Sequence, residues 1–275
     1  MLTFRKHHLE FDVPEALQDS IKCFWYDQRI SGEDPSNFEV MPDGYAEIIF
    51  YFGSTCSISH EGVLQPLPSP FIMGLLHQPV ILKSDSIQVI AIRCFPWTVF
   101  DLLGLPSVTG KDGVHLFEHP IAKLQITLQT FIESNKIEEA IGCVQQFFLN
   151  AQSQIPAESM LFKAGIAMRK AKGIIPVTEV AAAAYSTVRT LERNFKQSSG
   201  HSVKDVAGLM RFEQVRNHLW HYPDVNIAGL AQELGYTDQS HLSREFKRYS
   251  GTTPGVFARN AKKMLSSDFV AFVQS

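Results

Sequence analysis

The sequence predicts an α+β chain: a β-rich amino-terminal domain with flanking helices, then an all-α carboxy-terminal domain of two helix–turn–helix units joined by a long helix. Three observations lead there. Up to Pro96, short apolar runs alternate with Gly and Pro breaks, the pattern of a small antiparallel barrel or sandwich. Beyond Pro96 the apolar spacing changes from that of a strand to that of a helix. Near the carboxy end one stretch occurs twice, about 51 residues apart, as an internal repeat.

Pro14, Leu17, Ile21, Phe24 and Trp25 fall at helical spacing, so residues 13–30 are expected to form a short helix packed on the first sheet. The turn-rich residues 31–37 follow. Strands are expected over 38–41 and 46–52, with Met41-Pro42-Asp43-Gly44 as a tight turn between them. Pro66, Pro68 and Pro70 mark a loop, and 71–76, 80–82 and 87–95 are further strands. Glu47, near the start of its strand, is either a pocket group pointing inward or a residue solvated at the strand end. Residues 97–103 read as a short helix. Ile121, Leu124, Leu128, Phe131 and Ile132 form one helical stripe; Ile137, Ala140, Ile141, Val144, Phe147 and Phe148 form another. The break at Ser134-Asn135 makes them an antiparallel pair, which packs either on its own sheet or on a second copy of the chain. The polar stretch around Pro156 reads as a linker, which divides the chain into 1–152, 153–159 and 160–275. A connecting helix over 160–172 leads into the last part.

In the second copy of the repeat, Leu230, Ala231 and Leu234 are spaced to bury on a short helix that Gly235 ends. Thr237 or Asp238 caps the next helix, whose apolar positions are only Leu242, Phe246 and Tyr249. The rest of its surface carries Gln239, Ser240, Ser243, Arg244, Lys247 and Arg248. Amides and guanidinium groups on a helix held by one seam suit the major groove of DNA, where Gln and Arg pair with base edges. The first copy aligns with one residue fewer in the turn. Ala181 matches Ala231, Thr187 matches Asp238, Leu191 matches Leu242, Arg193 matches Arg244 and Phe195 matches Phe246. KQSSG at 196–200 echoes KRYSG at 247–251. Between the units, Val206, Leu209, Met210, Val215 and Leu219 mark a long helix closed by Pro223.

These runs, VAAAAYSTVRTLERNFKQSSGHS in the first unit and LAQELGYTDQSHLSREFKRYSGTTP in the second, resemble the DNA-binding domain of the AraC/XylS family of bacterial transcription regulators. The resemblance covers roughly the last 100 residues, with units over about 177–200 and 226–251. It departs from the family pattern at Tyr185, where the turn glycine of the first unit is usual, and at Ala258, where many members carry an arginine. The Pro42-Asp43-Gly44 turn with Glu47 is a weaker likeness, which implies a cupin-like sensor domain at the amino end. The resemblance implies double-stranded promoter DNA as the partner. It also implies a small-molecule effector held by the amino-terminal domain, and a dimer interface over 121–150. RNA polymerase is a further candidate partner, and the nucleoid within the cytoplasm the expected location.

Each unit's second helix is expected to enter a major groove, the two grooves lying about 34 Å apart on one face of the duplex. Arg189, Glu192 and Arg193 in the first unit, and Gln239, Ser240 and Arg244 in the second, are the candidate base contacts. Thr187, Lys196, His241, Lys247 and Arg248 are the candidate phosphate contacts, which fix register rather than sequence.

Charge supports the division. Residues 160–275 hold 16 Lys and Arg against 9 Asp and Glu; residues 1–159 hold 9 against 19. A basic half suits a polyanion and an acidic half is repelled by one. No apolar run reaches the ~18 residues of a membrane span, Pro79, Arg93, Pro96 and Asp101 interrupting the best stretches. The four cysteines (Cys23, Cys56, Cys94 and Cys143) are scattered, so buried thiols rather than a zinc site or disulfides are expected. No H-E-x-x-H, G-x-S-x-G or G-x-G-x-x-G occurs, and Gly110, Lys111 and Asp112 do not make a phosphate loop. The His7-His8 pair reads as exposed, and His201, His218 and His221, near helix ends, as capping or solvated residues rather than metal ligands. No enzyme, metal or cofactor is expected. The competing reading is a cupin-type small-molecule-binding protein or enzyme whose helical tail binds another protein.

Overall fold

The computed structural model describes residues 7–30, 36–60, 62–101, 103–104, 114–115, 118–152 and 159–266. The expected turn at 31–35, the linker residues 153–158 and the Gly110–Asp112 stretch lie outside the described residues.

The amino-terminal part is made of β1 (His7–Phe11), β2 (Ile21–Ile30), β3 (Ser36–Val40), β4 (Ala46–Gly53), β5 (Ser57–His60), β6 (Val63–Pro66), β7 (Phe71–Met73), β8 (Val80–Ser84), β9 (Ser86–Cys94), helix α1 (Pro96–Asp101) and β10 (Val114–His115). They form two antiparallel sheets, one in the order β1-β2-β9-β4-β7-β10 and one in the order β3-β8-β5-β6. Alternation along the strands serves two cores at once. Cys23, Trp25, Ile49, Phe71, Met73 and Ala91 face the second sheet, where Ile58 and Leu82 meet them. Phe24, Tyr26, Ile48, Phe50, Ile90 and Ile92 face the helices on the other side.

That double burial explains a correction. Residues 13–30 are not a helix: a single 3-10 turn, Glu15–Leu17, precedes the ten-residue strand β2. A strand covered on both faces is apolar nearly throughout, so its run also satisfies a helical spacing. Enrichment in Ile, Phe, Trp and Tyr was the signal that favoured a strand.

Helices α2 (Leu124–Glu133) and α3 (Ile137–Gln152) form the expected pair. Their stripe of Leu128, Ile132, Ala140, Ile141, Val144 and Phe148 is buried against the chain's own sheet, leaving Ile126 as the large apolar side chain turned outward from α2.

Next come α4 (Met160–Lys170), α5 (Val177–Ala183), α6 (Val188–Ser199), α7 (Val203–His221), α8 (Ile227–Glu233), α9 (Gln239–Ser250) and α10 (Pro254–Ser266). Ser159 caps α4 with its hydroxyl. Helix α7 is buried on more than one face, through residues such as Val206, Leu209, Phe212, Val215 and Leu219. The other helices gather around it, and Ala258 of α10 is buried in this core. The core also takes Leu75, Phe95 and Trp97 from the amino-terminal part. Gly165 of α4 lies directly on the Trp97 indole, and Arg169 donates to Gln18 O at 2.8 Å and pairs with Asp19.

Two histidine expectations are corrected here. His201 is buried, its Nε2 3.1 Å from Leu75 O and its ring 4.4 Å from that of His77. Burial first, then the neighbouring His77, pushes its pKa down to about 4, so the imidazole is neutral. His8 is half-buried against Trp25, with Glu10 3.4 Å away. No helix among the described residues is long and apolar enough to cross a membrane.

Candidate nucleic-acid interface

The repeat read from sequence holds at the level of single hydrogen bonds. In the first unit Ser186 N donates to Ala181 O at 2.9 Å; in the second Tyr236 N donates to Ala231 O at 2.9 Å. Thr187 caps α6 by accepting from Thr190 N, and Asp238 caps α9 by accepting from His241 N at 2.7 Å. Each second helix ends on a left-handed glycine, Gly200 at φ 76° and Gly251 at φ 71°. Ser199 Oγ donates to Phe195 O at 2.9 Å, and Ser250 Oγ to Phe246 O at 2.8 Å. Even the exits match: Ser202 caps α7 in a capping box with Asp205, and Thr253 Oγ1 accepts from Val256 N at the start of α10.

The turn between helices is where the units differ. Gly235 takes φ 71°, and Tyr185 takes φ 51° in the same place. The missing glycine therefore leaves the turn in the same left-handed form, with a Cβ set close to the backbone carbonyl where glycine has none. A left-handed residue with a Cβ costs about 1–2 kcal/mol. Packing does not offset that cost, because Tyr185 is 87% exposed.

Among the candidate base contacts, Arg189, Arg193, Gln239, Ser240 and Arg244 are exposed. The seams beneath them, Leu191 with Phe195 and Leu242 with Phe246, are buried. Glu192 is half-buried, and its carboxylate accepts from Val203 N at 3.2 Å. It thus helps hold the start of α7. Among the candidate phosphate contacts, Thr187, Lys196, Lys247 and Arg248 are exposed and His241 is half-buried, edge-on to Tyr236. Arg248 also reaches Asp205 at 3.4 Å. Burial raises the Asp205 carboxyl, but hydrogen bonds from Ser202 and the Arg248 charge outweigh it and hold the pKa below its usual value.

Sequence reasoning passed over the groups that fix α9 to α7. Arg211 donates to both carboxylate oxygens of Glu245, at 3.2 and 3.1 Å, and to Gly173 O at 2.8 Å. Tyr236 donates to Glu245 Oε1 at 2.8 Å. Unpaired, these charges would read as ordinary surface residues of two helices; only their meeting in space marks them.

A second charged group ties α7 to the sheet. Glu47 and Arg93 are cross-strand partners on β4 and β9, 6% and 1% exposed. Arg93 pairs with Asp43 and lies 4.6 Å over the Tyr45 ring. From α7, Arg216 donates to Pro42 O at 3.4 Å, and Glu213 stands beside Tyr45 and Arg93. Glu47 is therefore inward-facing. Burial raises its pKa to about 7 against the lowering effect of Arg93.

Residues 180–260 match a family model described as a helix-turn-helix domain. The chain carries an AraC-type helix-turn-helix domain. Residues 10–114 match a model described as a domain of unknown function (DUF6597). The AraC-type part is similar to the HTH-type transcriptional regulator RipA of Corynebacterium diphtheriae, 33% identical over 82 residues, 30% of this chain and 24% of that protein. RipA of Corynebacterium glutamicum is 34% identical over 71 residues, 26% of this chain and 21% of that protein. The chain thus spans about a quarter of the length of the curated relatives it matches. Among solved structures, ToxT from Vibrio cholerae O395 is 12% identical, with 86% of this chain and 97% of that one covered and a TM-score of 0.43. The DNA-binding domain of AdpA in complex with a target DNA is 20% identical, covering 40% and 97%, with a TM-score of 0.36.

Proposed function

We propose that this chain is a sequence-specific DNA-binding transcriptional regulator, both of whose reading helices, α6 and α9, enter the major groove. One observation carries the reading: Arg193 and Arg244 occupy the same exposed place on two copies of one scaffold. Arg189, Glu192, Gln239 and Ser240 complete the base contacts, Glu192 accepting from a cytosine amino group or orienting Arg189 through the carboxylate oxygen that does not hold Val203 N. Thr187, Lys196, His241, Lys247 and Arg248 hold phosphates. The two exposed faces differ in chemistry, so one chain reads an asymmetric site of nearly two turns.

A small-molecule effector is the second part of the proposal. The open cleft of about 370 Å³ lined by Lys22, Tyr45, Phe95 and Arg169 joins both parts of the chain and is where to look for it. A homodimer over 121–150 would use the outer face of α2 around Ile126, since the inner stripe is buried. Contact with RNA polymerase and residence at the nucleoid follow from a regulator's role.

The test is selection by the full chain from a pool of random duplexes. A single enriched asymmetric motif is expected, and it is lost in Arg193→Ala/Arg244→Ala. Failure to enrich any duplex, with a protein partner captured through the helical part, would favour the binding-protein alternative.

A further inference from the structure

The fold requires a left-handed residue at position 185 but not a tyrosine: Tyr185 N donates to Ala182 O at 3.0 Å and Ser186 N to Ala181 O at 2.9 Å, closing α5. Tyr185 occupies a left-handed turn position that glycine fills in the second unit, at φ 51° against φ 71° for Gly235. Tyr185 is 87% exposed, so no buried contact accounts for its side chain. Backbone strain of this kind, held in place by the surrounding turn, concentrates at functional positions. Two neighbours say what kind. Lys163 Nζ, from α4, lies 5.0 Å over the ring. Thr187, the cap of α6, follows two residues on, and exposed Val188 and Arg189 continue onto the reading face. An amphipathic ring with a phenol at its tip, beside an ammonium group and at the leading end of a reading helix, is complementary to a sugar–phosphate backbone.

We propose that Tyr185 and Lys163 form a backbone-contact pad specific to the first unit, the phenol donating to a phosphate oxygen and the lysine supplying charge. The inference rests on the DNA reading above and deepens it. Because Gly235 has no side chain, the second unit lacks the pad. The first unit is therefore the more firmly anchored one, and the pad adds affinity without sequence preference.

The experiment measures fluorescence anisotropy of the full chain on a duplex selected from a random pool and on a random-sequence duplex. Tyr185→Phe keeps the ring and removes the donor. It is expected to weaken both duplexes alike, about ten-fold, as loss of a hydrogen bond to a charged group does, with the salt slope unchanged. Lys163→Met is expected to weaken both and flatten the slope of log affinity against log salt by about one. Tyr185→Gly, which relaxes the backbone, is expected to melt higher than wild type yet bind as weakly as Tyr185→Phe; that combination separates the pad from a folding defect. Wild-type affinity in both Tyr185 variants would overturn the pad. Arg244→Ala serves as the control. If it weakens binding while the Tyr185 variants do not, only the pad falls; if no variant matters, the DNA reading falls with it.

Discussion

The sharpest check on the arrangement is Gly165→Ala, because its sign depends on whether α4 sits on Trp97. In a free helix the substitution stabilises by about 1 kcal/mol, since glycine is the poorer helix former. In this structure the added Cβ would overlap Cε2, Cζ2 and Cδ2 of the Trp97 indole. The ring has little room to yield: it is 1% exposed, stacked on Phe95 at 5.1 Å, and its Nε1 donates to Asp19 O at 3.4 Å. Overpacking of this kind costs about 1–3 kcal/mol, and three ring atoms met at once put it at the upper end. Subtracting the helix gain leaves a net loss of about 2 kcal/mol, or roughly 4–8 °C in Tm for a chain of this size. Thermal and urea unfolding of the full chain read it directly. In a Trp97→Leu background the overlap is relieved, and Gly165→Ala is expected to become neutral or stabilising, a coupling that contacting residues show and distant ones do not. A single Gly165→Ala variant that melts higher than wild type would refute the packing of α4 on α1.

The remaining predictions concern the readers and the charged groups behind them. Arg244→Ala is expected to lose about 1–3 kcal/mol of specific DNA affinity and relax preference at one base position, measured by competition among single-base variants of the selected site. Lys247→Ala is expected to weaken all sequences alike and flatten the salt slope by about one, measured by anisotropy across salt concentrations. Arg211→Ala leaves Glu245 with Tyr236 as its remaining donor and removes the Arg211 bond to the Gly173 carbonyl, and is expected to cost about 1–3 kcal/mol in urea unfolding. Glu47, raised from 4.5 to about 7, binds its proton more tightly in the folded chain than in the unfolded one. It therefore contributes fully below pH 4.5, and that contribution is lost as pH rises to 7. Relative to Glu47→Gln, wild type is expected to lose up to about 3 kcal/mol between pH 4.5 and pH 8, read as the difference between two unfolding series.

The helical half was legible because its signals are local. A capping Thr or Asp, a two-residue apolar seam and a closing glycine each act within a turn or two of chain, and repetition at matching positions made their meaning unambiguous. The β half was legible where strands alternate between breaks, as in β4 and β9, and misread where a strand is covered on both faces, as in β2. The site divided in the same way. Arg193 and Arg244 announce themselves by position on a helix. Arg211, Glu213, Arg216 and Arg93 do not, since each is an unremarkable residue until a strand or helix far away in sequence supplies its partner. Tyr185 was visible as a departure from a pattern, but its cost emerged only once φ was known.

The junction between the two parts combines surfaces of different kinds, and the combination has a consequence. Leu75, Phe95 and Trp97 extend the helical core with apolar surface, which is non-directional except where the Trp97 indole is fitted against Gly165. The Pro42–Tyr45 turn, with Arg93 and Glu47 behind it, meets Glu213 and Arg216 of α7 as a buried set of opposite charges. Desolvating such groups costs energy unless their partners are in place, so the set is satisfied in one orientation and penalised in others. His201, neutral and hydrogen-bonded to Leu75 O, adds a third fixed point at the start of α7. Helix α7 is also the element from which both reading units hang. The amino-terminal part therefore meets, through a set of groups satisfied in one orientation, a helix that packs on both α6 and α9.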